Sequence, residues 1–500
     1  MRGMYINCDE KELSSSLSVM SEESALLYFP EGYSDGCVIY DSNSWPKPPI
    51  EFTSHGVFII SGWFIYKQQL NPLALLAKDI IEEGVDVLNN ILAGVFVLFW
   101  ERKEQQIIFT DALGLSTHYI DKYAGNIRVA PSVKALVTGG HSLNEKMESI
   151  LAKKNHLFGN FTLFNGIERL SPGAVTKIDS ESSYIKLYEP QPLEDLGEYV
   201  TELTKYWDYD QRILPLSSGL DSRYLLANGS YKYGFTYGPD NSPEIKIAGS
   251  FKHDFNQYLS FDYNKEPLHE KEAEILDDMS YGTLNPIPRL FTNYLYVSKY
   301  YNQAKVFFDG YLGDLFQRGT YINFKGKRGE ILKLMPSAYR FFSFKAQTLL
   351  RLRYKELSKD EFDILWYDFK NKTDCLELDD YQKVTYYEFL YGRGGRYTIF
   401  GSNILAAQFF TIVSPFATRK VFDSFIQQNY AKAVSYKALK SIWQKTAIKY
   451  KSAPVESGYS PCTQPFFIPF IQIAYRLMFH FIPSRANYGV KLNRLEKDKK

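Results

Sequence analysis

The feature that most constrains this chain is an alternation that starts after residue 190. Short apolar runs at 212–216, 233–237, 257–262 and 306–308 read as strands, and helical stretches at 221–228, 245–251 and 293–303 separate them. Strand and helix in that rhythm predict a parallel sheet with helices on both faces. The loops that leave such strands are where chemistry is to be sought. One residue conflicts with the pattern. Pro215 sits inside the first run and cannot donate a ladder hydrogen bond. Either the strand frays there or the proline nitrogen faces no partner.

The chain before this alternation reads differently. Residues 57–66 and 93–100 are rich in β-formers, and 107–110 closes a hairpin with the second of them across a polar turn at 101–106. Residues 126–130 and 175–178 continue the strand pattern, while 72–91 and 147–158 have helical periods. This is the pattern of a layered α+β domain. The segment Tyr188-Glu-Pro-Gln-Pro192 is the linker candidate. Two domains are therefore expected, 1–190 and 191–500, the second mostly helical beyond about residue 330.

Charge and cysteine content exclude several classes. Lys and Arg number 58 against 57 Asp and Glu, so there is no basic footprint for nucleic acid. Cys8, Cys37, Cys375 and Cys462 are too scattered for a disulfide framework or a metal site, which makes a reducing, cytoplasmic setting the expectation. No apolar leader opens the chain. The most apolar stretch, 466–483, is interrupted by Pro469, Gln472, Arg476 and His480. Pro469 is expected to break a continuous helix, and the stretch reads as a buried C-terminal helix rather than an interfacial membrane helix. A membrane partner is not expected.

Two loops carry the candidate chemistry. In Leu214-Pro-Leu-Ser-Ser-Gly-Leu-Asp-Ser-Arg223 a strand runs through small residues into a helix. Small residues let backbone N–H groups approach an anion, and the helix N-terminus adds partial positive charge. Ser217, Ser218 and Ser222 offer hydroxyls. Asp221 would repel phosphate unless a cation lay between them, so Mg²⁺ ligation suits it. A plain Ser/Gly turn with Asp221 as N-cap has the same sequence. The second loop, Val306-Phe-Phe-Asp-Gly-Tyr-Leu-Gly-Asp-Leu-Phe316, also leaves a strand, with Asp314 near a helix start.

The Ser-Ser-Gly-Leu-Asp-Ser run resembles the pyrophosphate-binding loop of the ATP pyrophosphatases, and the surrounding chain resembles the glutamine-dependent asparagine synthetase family. Stretches at 110–119, 130–136, 162–173 and 235–248 are similar to that family's segments in the same order, covering about 90 to 480. The second loop is similar to its Ser-Gly-x-Gly-x-Asp-Glu element, with Gly310 and Asp314 on the first Gly and the Asp. Leu312, Leu315 and Asp309 depart from the second Gly, the Glu and the Ser.

The resemblance implies an N-terminal amidotransferase-like layered α+β domain and a C-terminal doubly wound ATP-pyrophosphatase domain with a helical end. It implies ATP and Mg²⁺ as cofactors. Asp221 and Asp314 would hold the metal and act in catalysis. Ser217, Ser218, Gly219 and Ser222 would hold the phosphates. Leu216, Tyr237, Asp309 and Gly310 would contact the nucleotide. The implied reaction adenylates a small-molecule or peptide carboxylate and passes it to ammonia or an amine, with AMP and pyrophosphate released.

A glutamine-hydrolysing member begins Met-Cys-Gly and carries Asn-Gly-Glu. Here Arg2 stands at the second position and Ser61-Gly62-Trp63 at the motif, so glutamine hydrolysis is expected to be lost. The amine would then come from solution, from a separate amidotransferase, or from the substrate itself. The last case would make the protein an intramolecular amide-forming cyclase of the β-lactam or lasso-peptide type. Glu456 stands where a catalytic lysine is expected, which keeps a non-catalytic homologue in view. A tRNA-modifying pyrophosphatase shares the first loop but fits the neutral charge poorly. A homodimer is compatible with the resemblance. Arg393-Gly-Gly-Arg396 has no counterpart in the family and could clasp a carboxylate or phosphate.

Overall fold

The structure is a computed structural model that describes residues 1–8, 23–103, 105–122, 127–185, 195–239, 242–262, 269–286, 288–313, 344–428 and 436–481. The linker candidate at 188–192 and Asp314 lie outside these residues. Within them the chain forms two antiparallel sheets, one parallel sheet and surrounding helices.

The antiparallel strands are β1 (Gly3–Ile6), β2 (Ser24–Tyr28), β3 (Gly36–Asp41), β4 (Ile50–Thr53), β5 (Gly56–Tyr66), β6 (Gln69–Leu70), β7 (Ile91–Arg102), β8 (Gln105–Thr110), β9 (Tyr119–Asp121), β10 (Arg128–Ala130), β11 (Ile167–Arg169), β12 (Ala174–Thr176) and β13 (Glu181–Ser183). One sheet runs β11-β9-β10-β1-β3-β2, and the other β13-β12-β8-β7-β5-β4 with β6 added to β5. The period of two explains how they stack. Met4, Ile6, Val38 and Tyr40 point into a core shared with Val57, Ile59, Phe99 and Ile107 of the second sheet. Their neighbours Tyr5, Cys37 and Ile39 point the other way, into a cluster with Val133 and Phe164.

The expected hairpin forms, pairing Val97 with Thr110 through Arg102 with Gln105. The helix expected over 72–91 is shorter. It spans Leu73–Glu83 and stops at Gly84, whose φ of +89° no helix continues, and a 3₁₀ turn over Val85–Asn90 follows.

The parallel strands are β14 (Arg212–Pro215), β15 (Tyr233–Tyr237), β16 (Gln257–Phe261), β17 (Val306–Phe308) and β18 (Thr411–Val413), ordered β16-β15-β14-β17-β18. Both faces are buried. Leu214, Val306 and Phe308 feed one core, and Ile213, Phe235 and Phe307 the other. The chain winds outward from β14 to β16, then returns to lay β17 on the opposite side. The topological switch point therefore lies between β14 and β17.

Pro215 is accommodated at the end of its strand. The Leu216 N–H bonds Phe235 O on β15 at 2.8 Å, so the Pro215 nitrogen faces the β17 side. The β14–β17 ladder ends at Ile213 and Phe307, and no bond is lost.

The first antiparallel layers close over the edge strand β18. Trp63 Nε1 donates to Ile412 O at 2.9 Å, and the Ser44 and Thr411 hydroxyls lie 2.7 Å apart. Two buried arginines tie the layers to the helical region. Arg169 donates to Leu390 O and Gly114 O at 2.8 and 2.7 Å, and Arg396 to Gly159 O and Phe161 O at 2.5 and 2.7 Å.

The C-terminal helix corrects the sequence expectation. Pro469 begins the helix Ile468–Phe481 instead of breaking it, because a first-turn nitrogen needs no intrahelical partner. The helix is not fully buried either: one face packs on the core through Ile468 and Ile471, and the other is open. Among the described residues no helix is long and apolar enough to cross a membrane.

Candidate active site at the switch point

A cavity of about 680 Å³ opens at the switch point. Its floor is the two loops that leave β14 and β17. Pro215, Ser217, Asp221 and Ser222 come from the first, and Asp309, Gly310, Tyr311 and Leu312 from the second. Tyr237 lines it from the end of β15.

The two loops pack without side chains between them. A Cβ on Gly313 would lie 2.6 Å from Asp221 Cβ, Cγ and Oδ1, and one on Gly310 would lie 3.1 Å from Asp221 Cβ and the Ser222 nitrogen. Glycine is needed at 313 for this approach. At 312 the opposite holds. Leu312 has φ +75°, a left-handed conformation that glycine adopts freely and leucine does not. Burial of its side chain in the large core holds the strained backbone in place.

The first loop is closed on its own polar groups. Ser217 N–H donates to Ser222 Oγ at 3.0 Å, and Gly219 N–H donates to Ser217 Oγ at 3.0 Å. Ser218 turns away from the cavity: its N–H donates to Glu244 Oε1 at 2.8 Å and its hydroxyl to Glu244 Oε2. The Glu244 carboxylate thus takes donors that an anion at this loop would use. Arg223 crosses beneath, donating to Ser218 O at 2.7 Å and Pro454 O at 3.0 Å.

Of the residues singled out from sequence, the cavity gathers Ser217, Asp221, Ser222, Tyr237, Asp309 and Gly310. Leu216, Ser218 and Gly219 lie behind its wall, Leu216 still in the sheet ladder.

Asp309 is a strongly perturbed acid. Burial, and secondarily the Asp221 charge, push its carboxyl up to about 7, against the pull of Ser402 and the Gly310 and Tyr311 N–H groups. Its Oδ2 is sealed from solvent and has no hydrogen-bond partner among the described residues. Two carboxylates that line one cavity and interact electrostatically, with one oxygen unsatisfied, fit a cation or a proton shared by them.

Among the described residues no group of three His, Cys, Asp or Glu side chains is arranged to hold a metal. Mg²⁺ is commonly held by one or two carboxylates plus substrate phosphates. Asp221 and Asp309 could supply that pair.

Apart from Arg393, the opposite wall was not legible in the sequence. It is the irregular stretch Gly394–Ile404, wound as two successive π-turns, a geometry that recurs at functional sites. Arg393, Tyr397, Thr398 and Ser402 face the cavity from it. Tyr311 OH donates to Gly394 O at 2.7 Å and locks this wall to the second loop. Arg353 lines the rim, with Nε 2.5 Å from the buried Glu388 Oε2. The Arg393/Arg396 pair noted in sequence divides its labour. Arg396 is the strut described above, while Arg393 stands at the cavity with its guanidinium 5.8 Å from the Tyr397 ring centre.

A second cavity, about 120 Å³, lies on the far side of this wall, between the antiparallel sheets and β18. Arg2, Asp41, Ser61, Trp63, His118 and Gln408 line it. Arg2 Nε donates to Ser24 Oγ at 2.9 Å, and NH1 lies 3.8 Å from Asp41. His118 Nε2 accepts from Met4 N–H at 3.0 Å, and burial lowers its pKa to about 4. No cysteine lines this cavity. Cys8, the cysteine nearest the start of the sequence, donates to Ile6 O and Val129 O within the strands.

Neither the models of known protein families nor the curated proteins yield a match to this chain.

Proposed function

We propose that the switch-point cavity binds ATP with Mg²⁺ and a carboxylate, and that the protein is an AMP-forming amide ligase of the asparagine synthetase type. On this reading residues 1–190 are an amidotransferase-like layer without glutaminase activity, and the remainder is an ATP-pyrophosphatase domain. The observation that carries it is the packing of Gly313 and Gly310 directly on Asp221, where two strand-end loops meet.

The cavity volume suits a nucleotide-sized ligand. Ser217 and Ser222 would donate to phosphate oxygens once they release each other. Asp221 and Asp309, with Asp314 as the resemblance implies, would hold the metal, whose charge offsets that gathering on the leaving pyrophosphate. A substrate carboxylate oxygen attacks the α-phosphorus and the bond to the bridging oxygen breaks. An amine then displaces AMP from the acyl carbon and gives up a proton. With the second cavity lacking a cysteine, the amine comes from ammonia, a separate amidotransferase or the substrate itself; the last would make the protein a cyclase.

Incubation with ATP, Mg²⁺ and a carboxylate panel should release AMP and pyrophosphate, and Asp221→Asn should abolish that release. Silence across the panel, with no ATP·Mg²⁺ binding by calorimetry, would overturn the reading. One observation favours a second one: Glu244 fills the donors of Ser218, as it would in a non-catalytic homologue. That reading expects no heat of ATP·Mg²⁺ binding.

A further inference from the structure

We propose that the helix Ile468–Phe481 and the turn before it form a peripheral membrane-binding surface whose partner is an anionic lipid bilayer. The exposed face is continuous. Phe470, Ala474 and Leu477 follow at i, i+4 and i+7, and Phe466 and Phe467 extend the same side into the preceding turn. Phe466 is 72 % exposed, Phe467 56 %, Phe470 51 % and Leu477 53 %. The rings cluster, with Phe466 5.5 Å from both Phe467 and Phe470 between centroids.

The opposite face anchors the helix. Ile468 is fully buried, Ile471 packs on the core, and Gln472 Nε2 donates to Tyr436 OH at 3.0 Å. A helix apolar on both sides does not end at water by choice.

Charge selects the occupant. Residues 437–451 carry five lysines and no acid. Lys445 and Lys449 are paired with Asp195 and Asp254, which leaves Lys437, Lys440 and Lys451 without an acidic partner among the described residues. Lys437 and Lys440 are exposed, and Lys440 Nζ reaches Gln464 Oε1 at 3.4 Å, two residues from the phenylalanine cluster. The chain after 481 adds Arg485, Lys491, Arg494, Lys497, Lys499 and Lys500 against Glu496 and Asp498. A protein interface depletes lysine around its apolar centre. Aromatic rings with lysine close by match acyl chains beneath anionic headgroups, which attract basic residues.

The test is cosedimentation of the full chain with phosphatidylcholine vesicles holding roughly 30 % phosphatidylglycerol, against pure phosphatidylcholine. The protein should bind the anionic vesicles at least about tenfold more tightly, and salt should weaken binding. Phe466→Ser with Phe470→Ser should lower binding at least about tenfold at unchanged melting temperature, since both side chains are exposed. Lys437→Gln with Lys440→Gln should lower binding and its salt dependence. Absence of binding to anionic vesicles would overturn the proposal. So would a dimer that Phe470→Ser dissociates without lipid, because a second copy would then cover the face.

Discussion

The two cavities share a wall and differ in what they leave unsatisfied. On one side of the Gly394–Ile404 stretch, Asp309 keeps a buried oxygen without a partner among the described residues, Leu312 is held in a glycine's conformation, and the Arg393 guanidinium has no carboxylate partner among those residues. On the other side, Arg2 is met by Ser24 and Asp41, and His118 accepts a backbone N–H. Strain and unpaired polar groups cost stability and persist where a ligand repays them. A small, internally bonded cavity is what packing alone leaves. The larger cavity should therefore respond to substitution through activity, and the smaller through stability.

The largest expected effect is at Asp221. Asp221→Asn keeps the volume that Gly313 packs against but removes the charge. Pyrophosphate release should fall by more than about a thousandfold, roughly 4 kcal/mol of transition-state stabilisation, with little change in melting temperature. Parallel loss of activity and fold would show that the residue is only a packing element.

Gly62→Ala probes the smaller cavity. Gly62 has φ +107°, and an added Cβ would meet Val95 O at 1.9 Å. Denaturant unfolding should show a loss of about 3 kcal/mol or more. ATP binding by the folded fraction should survive. If binding is lost while stability holds, the two cavities are not separable in this way.

The pH dependence of stability sharpens the same contrast. The folded pKa of His118 is lowered from 6.5 to about 4 by burial, so between those values the unfolded chain binds more protons than the folded one. Stability is full above pH 6.5 and declines as pH falls to about 4, by about 3 kcal/mol from this group. His118→Gln, which keeps an acceptor for Met4 N–H, should flatten that part of the urea-midpoint profile. His156, also lowered to about 4 by burial, should leave a residual slope.

The parallel sheet was legible because its central strands are short, largely apolar runs buried on both faces. Strands Tyr233–Tyr237 and Val306–Phe308 and helix Asp221–Asn228 lie where the residues indicate. The first layers were less so. Gly3–Ile6 and Ser24–Tyr28 are four and five residues long, and what fixes them is pairing with Gly36–Asp41. Thr411–Val413, three residues after a helical region, is a strand only because β17 pairs with it.

In the site, Ser217, Asp221 and Ser222 could be read from one loop because they are local. Arg393 could be singled out as an arginine beside glycines, but the Glu244 contact and the wall from 397 to 402 could not, since tertiary packing alone brings them there. The turn Phe466–Phe467 and the helix after it read as core because composition does not say which face of an apolar helix finds a partner.

The smallest expected effect is at Arg393, and it separates ligand binding from chemistry. Its side chain is exposed at the cavity and touches the Tyr397 ring, so truncation removes no buried pair and should shift stability by less than about 0.5 kcal/mol. On the proposed reading, an arginine on the wall opposite the Ser217–Ser222 loop acts on an anionic group that the substrate brings. Arg393→Met should then raise KM for the carboxylate about tenfold, the worth of one exposed charged hydrogen bond, while kcat stays level. Arg393→Lys should recover part of the loss, because charge returns without the planar fork. A fall in kcat at constant KM would move Arg393 from the binding wall to the reacting centre. On the proposed reading, the larger cavity would then take part in the chemistry from both of its faces rather than from the loop floor alone.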